Sequence, residues 1–439
     1  MSRSLHQTRL PFQLESTGQT LTSRSGLAIV YEAALATGVV CAIKSKLPAP
    51  GSNRGYRPDE YVMPLVLMLV GGGKALEEIR EIAQDQGLRR LCGFERLPTP
   101  DAIGHWLRRS LVRAGLKKVN HDFARQVIAA SQENDLTLDV DATYMATEKE
   151  CAEYNYQGVK SFSVMTSFIS DLDLCIRSDY RNGNVSPVTG VKQHLTAGIK
   201  LTQAAGKRLA YFRSDSAGYT AEVINCCQQQ GITFTITADQ DAAVKPIIKD
   251  QQRQGNWKRL YLKDEQGKLD YTGREYVTAI HCMAKTERAF TLIIQRWPNP
   301  KNDLFQAEPW CYHVIATNDY VRRTEEIIAF HNQRSAAENY HKELKSGYGM
   351  EYAPSRELLA NATYFEIGVL AYNLMVVIKR RLFDRSWWRK TIATLRWELL
   401  NIAGKVVKCG RRLILKVMPA ALELLQPLRA KLAASLVPI

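Results

Sequence analysis

Residues 136–143 read Leu-Thr-Leu-Asp-Val-Asp-Ala-Thr. Leu136, Leu138 and Val140 alternate with Thr137, Asp139, Asp141 and Thr143. This period of two predicts a strand with one apolar and one polar face, and the polar face carries two carboxylates. The stretches Ser-Phe-Ser-Val-Met-Thr-Ser-Phe-Ile (161–169) and Leu-Cys-Ile-Arg-Ser-Asp-Tyr (174–180) predict the next two strands. A helix is expected over about 188–202. Arg-Leu-Ala-Tyr-Phe-Arg-Ser-Asp (208–215) is a further strand that ends in Asp215. Thr220 caps a helix that Gly231 stops, and residues 232–238 form another strand.

This β-β-β-α-β-α-β order predicts an α/β fold with an RNase H-like core, a mixed five-stranded sheet flanked by helices. Residues 239–310 interrupt it with strand-like text (274–283, 290–297) and the turn Pro298-Asn-Pro-Lys301, expected to form an inserted, mostly β subdomain. Residues 310–319 would close the insertion before a long helix over 324–346 and an apolar helix over 358–381. Upstream, residues 1–25 look irregular. Helices are expected at 28–40, 59–70, 74–85 and 101–114, the last capped by Thr99 with Pro100 at its first position. Three regions follow: a helical N-terminal domain (1–130), a catalytic body (131–380) and a basic, helical C-terminal tail (381–439).

With 439 residues, 45% apolar and 23% charged, wholesale disorder is excluded. The longest apolar runs, 62–70 and 367–378, fall short of the ~18–20 residues of a membrane helix. No secretory h-region is visible, so a soluble, cytosolic protein without a membrane partner is expected. Nine cysteines without a C-x-x-C pair predict reduced, mostly buried thiols rather than disulfides or a zinc site. The eight histidines show no H-E-x-x-H spacing, so any metal is held mostly by oxygen. The net charge of +15 is uneven: +7 over 1–130, −3 over 131–370 and +11 over 371–439. Basic ends around a near-neutral centre suit a polyanion, with nucleic acid first. A merely solvated surface is the other reading. Arg108 and Arg109 in the last N-terminal helix and Arg411 and Arg412 in the tail are candidate DNA contacts.

Residues 331–345, His-Asn-Gln-Arg-Ser-Ala-Ala-Glu-Asn-Tyr-His-Lys-Glu-Leu-Lys, place a carboxylate among cations. On an unbroken helix with Glu338 at zero, Arg334 falls near about −40°, Lys345 about −20°, His331 about +20°, His341 about −60° and Lys342 about +40°. Solvated Glu–Lys pairs would account for the same text. Joined to Asp141 and Asp215, however, Glu338 completes a set of carboxylates able to share two hard divalent ions ~3.5–4 Å apart, which clamp attacking and leaving oxygens of a phosphoryl transfer. His331, Arg334 and Lys345 would hold DNA phosphates beside them.

In these motifs the chain resembles the DDE transposases of bacterial insertion sequences, in the branch with a Y-x2-R-x3-E-x6-K signature. The match is Arg334-x3-Glu338-x6-Lys345, with Asp141-Ala-Thr143 and Arg213-Ser-Asp215-Ser-Ala-Gly218 for the two aspartates. The surrounding text, over roughly 25–380, looks most like the insertion-sequence family called thirteen-eighty. His331 stands where the signature has tyrosine. The resemblance implies Asp141, Asp215 and Glu338 as catalytic metal ligands for two Mg²⁺ ions, with Mn²⁺ able to substitute. It also implies double-stranded DNA as partner (the element's inverted repeats and a target), cleavage followed by strand transfer, and a homodimer in the synaptic complex. A nuclease that cleaves without joining, or an inactive DNA-binding relative, are the alternatives. Asp139 shares the face of Asp141 and is the competing ligand. Asp239 and Asp241 suit a turn, and Trp257, Trp297 and Trp310 suit a core.

Overall fold

The computed structural model describes residue 12 and residues 14–264, 266–300 and 309–434. Residues 1–11 and 13 of the irregular start, Lys301 of the Pro298 turn and the last five residues lie outside the described residues.

A short strand, β1 (Leu21–Thr22), leads into α1 (Gly26–Ala36) and α2 (Val39–Lys46). Where one helix over 28–40 was expected, Gly38 at φ 73° breaks it, a left-handed position that glycine takes without Cβ strain. Next come α3 (Pro58–Gly71), α4 (Ile79–Gln84), α5 (Gln86–Cys92), α6 (Pro100–Leu107) and α7 (Ser110–Ala129). The Thr99 hydroxyl accepts the Ala102 N–H at 3.3 Å, as the cap predicts. The chain turns at extended Arg109, which divides the expected 101–114 helix between α6 and α7.

The sheet begins with β2 (Asp135–Ala146), β3 (Glu153–Tyr154), β4 (Lys160–Ile169) and β5 (Leu174–Asn182). It continues through α8 (Val191–Ala204), β6 (Arg208–Ser214), α9 (Ala221–Gln229) and β7 (Thr233–Thr237). β5, β4 and β2 are antiparallel neighbours, and β2, β6 and β7 run parallel. Then come α10 (Val244–Gln254), β8 (Lys258–Lys263), β9 (Leu269–His281), β10 (Phe290–Pro298) and β11 (Trp310–Thr317). Here the structure departs from the expected separate subdomain. β11 pairs antiparallel with β7 (Ile315 with Thr237), and β10, β9 and β8 add on outside it, so the insertion widens the same sheet to ten strands. A parallel strand such as β7 leaves its free edge to be paired, and the returning β11 supplies the bonds.

The remaining elements are α11 (Thr324–Asn332), a 3₁₀ turn (Gln333–Ser335), α12 (Ala336–Lys342), a π-helical turn (Glu343–Gly347) and α13 (Leu358–Leu382). Two short helices, α14 (Arg385–Trp388) and α15 (Ile392–Leu395), precede a hairpin of β12 (Gly404–Cys409) and β13 (Arg412–Lys416), then α16 (Pro419–Ala434). The tail is therefore not simply helical: its most basic stretch is a β-ribbon that joins β1 in a second, three-stranded sheet.

α13 is long and apolar enough to cross a membrane by length and composition, a property the run-length count missed, yet that window is wholly buried inside the protein. It packs on α7, α3 and β5. One apolar cluster joins Leu27 and Val66 of the N-terminal helices, Leu370 of α13 and Leu399 and Leu428 of the tail. Burying each such leucine contributes about 1.5–3 kcal/mol, so both ends of the chain stabilise one core. Asn373, buried in α13, accepts the Cys175 N–H at 3.0 Å and donates to the Cys175 carbonyl at 2.7 Å. One amide thus completes the backbone pairing that edge strand β5 otherwise lacks. Among the cysteines only Cys92, Cys175 and Cys227 are buried, while Cys41, Cys282 and Cys409 are exposed; all nine are free thiols, and the expectation that most are buried is corrected.

Candidate active site

Asp141 lies mid-strand on β2, opposite Thr166 of β4, and Asp215 follows directly on the last residue of β6. Because β2 and β6 are parallel neighbours, with Val140 level with Ser214, both carboxylates emerge at one edge of the sheet. The Asp215 carboxylate accepts the Ala217 N–H at 3.1 Å, which fixes the tight turn after β6. Glu338 is exposed on α12 and faces Asp141 across an open cavity of about 340 Å³, shared with Thr143, His341, Lys345 and Glu351. Burial, then the charge of Asp215, with a further push from Glu338, raise the Asp141 carboxyl to about 7. Arg334 opposes this from the other side, its guanidinium 3.5 Å from the Asp141 carboxylate. Lys345 is half-buried and donates to Thr143 Oγ1 at 3.0 Å and to the Tyr144 carbonyl at 2.8 Å, which anchors it on β2. Its burial pulls the ammonium below the ordinary lysine range.

Asp139 is excluded as a ligand by its own pairing. It forms a bidentate ion pair with Arg213 of β6, at 2.6 and 2.8 Å, with both side chains buried. Arg213 also donates to the Phe330 carbonyl and to Gln333 Oε1, at 2.9 and 3.2 Å, and its guanidinium lies 4.8 Å from the Phe330 ring centre. Arg213 therefore ties the sheet to the turn that carries Arg334. Its signal in the sequence was a position two before Asp215, read only as part of a motif.

His331 does not reach the cavity. It is 3% exposed, shares a hydrogen bond of 3.1 Å with Thr237 and lies 5.7 Å from the His313 ring. Burial, with His313 and Arg334 nearby, holds its imidazole down to about 3, so it is uncharged at ordinary pH and offers no positive charge to a phosphate. The helix wheel placed it with Glu338 because it assumed one unbroken helix over 324–346; the 3₁₀ turn at Gln333–Ser335 resets that phase. His341 is likewise buried and pulled down to about 4 while it shares a 2.8 Å hydrogen bond with Thr166. Of the remaining candidates, Arg108 is exposed and pairs with Glu357 at 3.0 Å, Arg109 is exposed at the α6–α7 turn, and Arg411 and Arg412 are exposed at the β12–β13 tip. None of these four lines the cavity.

The chain matches the family model described as transposase DDE domain group 1 over residues 6–434. It belongs to that family. No curated protein matches it. Among solved structures it is similar to a piggyBac transposase in a synaptic complex with hairpin DNA, at 11% identity and a TM-score of 0.45, covering 88% of this chain and 83% of that one. DDE transposases generally use divalent metals. In this member the donor set offered is all oxygen, which suits a hard cation. Burial first, and then the charge of Asp215, disfavours the ionised form of Asp141, a condition that a bound cation relieves. Among the described residues no three His, Cys, Asp or Glu side chains are yet gathered closely enough to enclose an ion.

Proposed function

We propose that the protein is the transposase of a bacterial insertion sequence, akin to the family called thirteen-eighty, with an RNase H-like core that works on DNA in the cytoplasm at the nucleoid. The observation that carries this reading is that Asp141 and Asp215 emerge level at one sheet edge with Glu338 across the cavity, inside a chain matched along almost its whole length by a transposase family. Asp141, Asp215 and Glu338 would hold two Mg²⁺ ions. When bound, such ions activate the attacking hydroxyl and stabilise the leaving oxygen of a phosphodiester.

The chain's own residues do the rest. Arg334 neutralises Asp141 and offers its remaining N–H donors to a phosphate in the cavity. Lys345 is pinned on β2 by Thr143 and Tyr144, and so presents a fixed positive charge at the same mouth. Arg213 and Asp139 behind them keep the Arg334 turn at a constant height above the sheet. The exposed Arg108, Arg109, Arg411 and Arg412 lie outside the cavity and would bind the backbone of the terminal inverted repeats. Synapsis of two ends would take a homodimer. The domain division is proposed as 1–130 for end binding, 131–380 for catalysis and 381–439 for further DNA contact.

The test is a strand-transfer assay with the native element ends, supercoiled target plasmid and Mg²⁺, comparing wild type with Glu338→Ala. Joined products from wild type only are expected, with end binding retained by the variant. Cleavage without joining would leave a nuclease, and binding with neither reaction a DNA-binding relative.

A further inference from the structure

The near-neutral centre of the chain conceals a sorted charge. Residues 131–370 carry −3, but within them residues 244–263 hold six Lys or Arg against one acid, Asp250. On α10, Val244 and Ile248 are buried, while Lys245, Lys249 and Arg253 are exposed at i, i+4 and i+8. That spacing puts the three cations on one face, about 6 Å apart along the axis. Asp250 comes within 3.5 Å of Arg253, but the two side chains are 63% and 80% exposed, so the pair neutralises little.

A fourth cation faces the same side of the sheet. Leu260 of β8 packs into the cluster under α11, so its neighbour Arg259 points to the α10 side, where its guanidinium lies 5.8 Å from the Tyr271 ring centre. Lys258 and Lys263 are felt by Glu325 and Glu326 of α11 and do not belong to this surface.

Register locates the surface. Thr237, the last residue of β7, is level with Ile315, Ile293 and Thr278 across the added strands. β8 pairs only with Leu269–Tyr276 of β9, beyond that level. It therefore overhangs the sheet edge at which Asp141 and Asp215 emerge. Two exposed acids, Asp239 and Asp241, precede α10 at this edge, and Glu275, level with Arg259, is held by Arg296 at 2.7 Å; past them a duplex leaving the carboxylate cavity meets the four cations.

We propose that Lys245, Lys249 and Arg253 of α10, with Arg259 of β8, form a contact for the phosphate backbone of duplex DNA running past the catalytic edge. This rests on the reading of the protein as a DNA-cleaving enzyme and adds to it a surface in the middle of the chain, apart from the two basic ends. The test compares wild type with the Lys245→Gln, Lys249→Gln, Arg253→Gln triple variant by anisotropy on a labelled duplex across a salt series. Each phosphate contact contributes about 0.9 to the slope of log affinity against log salt, so the triple variant should lose about 2.7 and bind several-hundredfold more weakly at ~0.1 M salt.

The triple variant should melt at the wild-type temperature, since all three side chains are exposed. A Lys245→Arg, Lys249→Arg chain keeps both charges and should keep the full slope. Wild-type-like slope in the Gln variant overturns the proposal while leaving the enzyme reading intact. A slope lost equally in the Arg variant would also overturn it, because charge would not be the cause. Failure of the wild type to bind any duplex would instead remove the DNA reading itself.

Discussion

Addition of Mg²⁺ to the metal-free protein should expel protons in an amount set by Asp141. Its carboxyl is raised to about 7 by burial and by Asp215, whereas a metal-bound carboxylate must be ionised. With that value, about 0.8 proton leaves at pH 6.5 and only about 0.1 at pH 8. The linkage has a definite sign. A carboxyl whose folded value lies above its unfolded value of 3.8 binds more proton when folded, so stability of the metal-free chain falls as pH rises from about 4 to about 7 and is flat beyond. Complete protonation of this one group would give a slope of at most ~1.4 kcal/mol per pH unit. Mg²⁺ affinity runs the other way, rising with pH up to about 7.

Calorimetric titration in buffers of different ionisation enthalpy counts the protons directly. The same titration of Asp141→Asn should show no such release, and that variant should be more stable than wild type at pH 8 without metal. Equal proton release at pH 6.5 and 8, or release that survives in Asp141→Asn, would refute the electrostatic account of the site.

Two further outcomes can be checked independently. Arg213→Ala strands the buried Asp139 carboxylate and should cost about 3–5 kcal/mol in chemical denaturation, whereas adding Asp139→Ala should recover much of that loss. For the tail, removal of residues 385–439 should unfold the N-terminal helices, because Leu399 and Leu428 share their core. Arg411→Gln with Arg412→Gln should leave melting unchanged and lower the salt slope for end binding by about 1.8.

The strands that carry the site were legible because their polarity alternates: β4, β5, β6 and β7 fall within two residues of the expected bounds and β2 runs three residues further, to Ala146, so that Asp141 sits on the strand foreseen and Asp215 directly after the one expected to end in it. Features that depend on distant partners were not legible. The pairing of Asp139 with Arg213 requires the parallel register of two strands 74 residues apart. The union of β7 with β11 requires a strand that returns after the entire insertion. The turn at Gln333–Ser335 contains neither glycine nor proline, so periodicity ran through it and misplaced His331. The basic hairpin was taken for helix because its many Lys and Arg residues weigh more as charge than Val406, Val407, Leu413 and Ile414 do as a strand pattern.

The shared core has a consequence during synthesis. Helices α1–α7 leave the ribosome first, yet the α13 surface on which they pack emerges only about 250 residues after α7. At ~5–20 residues per second that is a delay of ~12–50 s, in which the apolar faces they turn to α13 have no native cover. The N-terminal region therefore cannot mature ahead of the carboxylate-bearing body, and a chain cut short before residue 358 has no finished N-terminal unit to release.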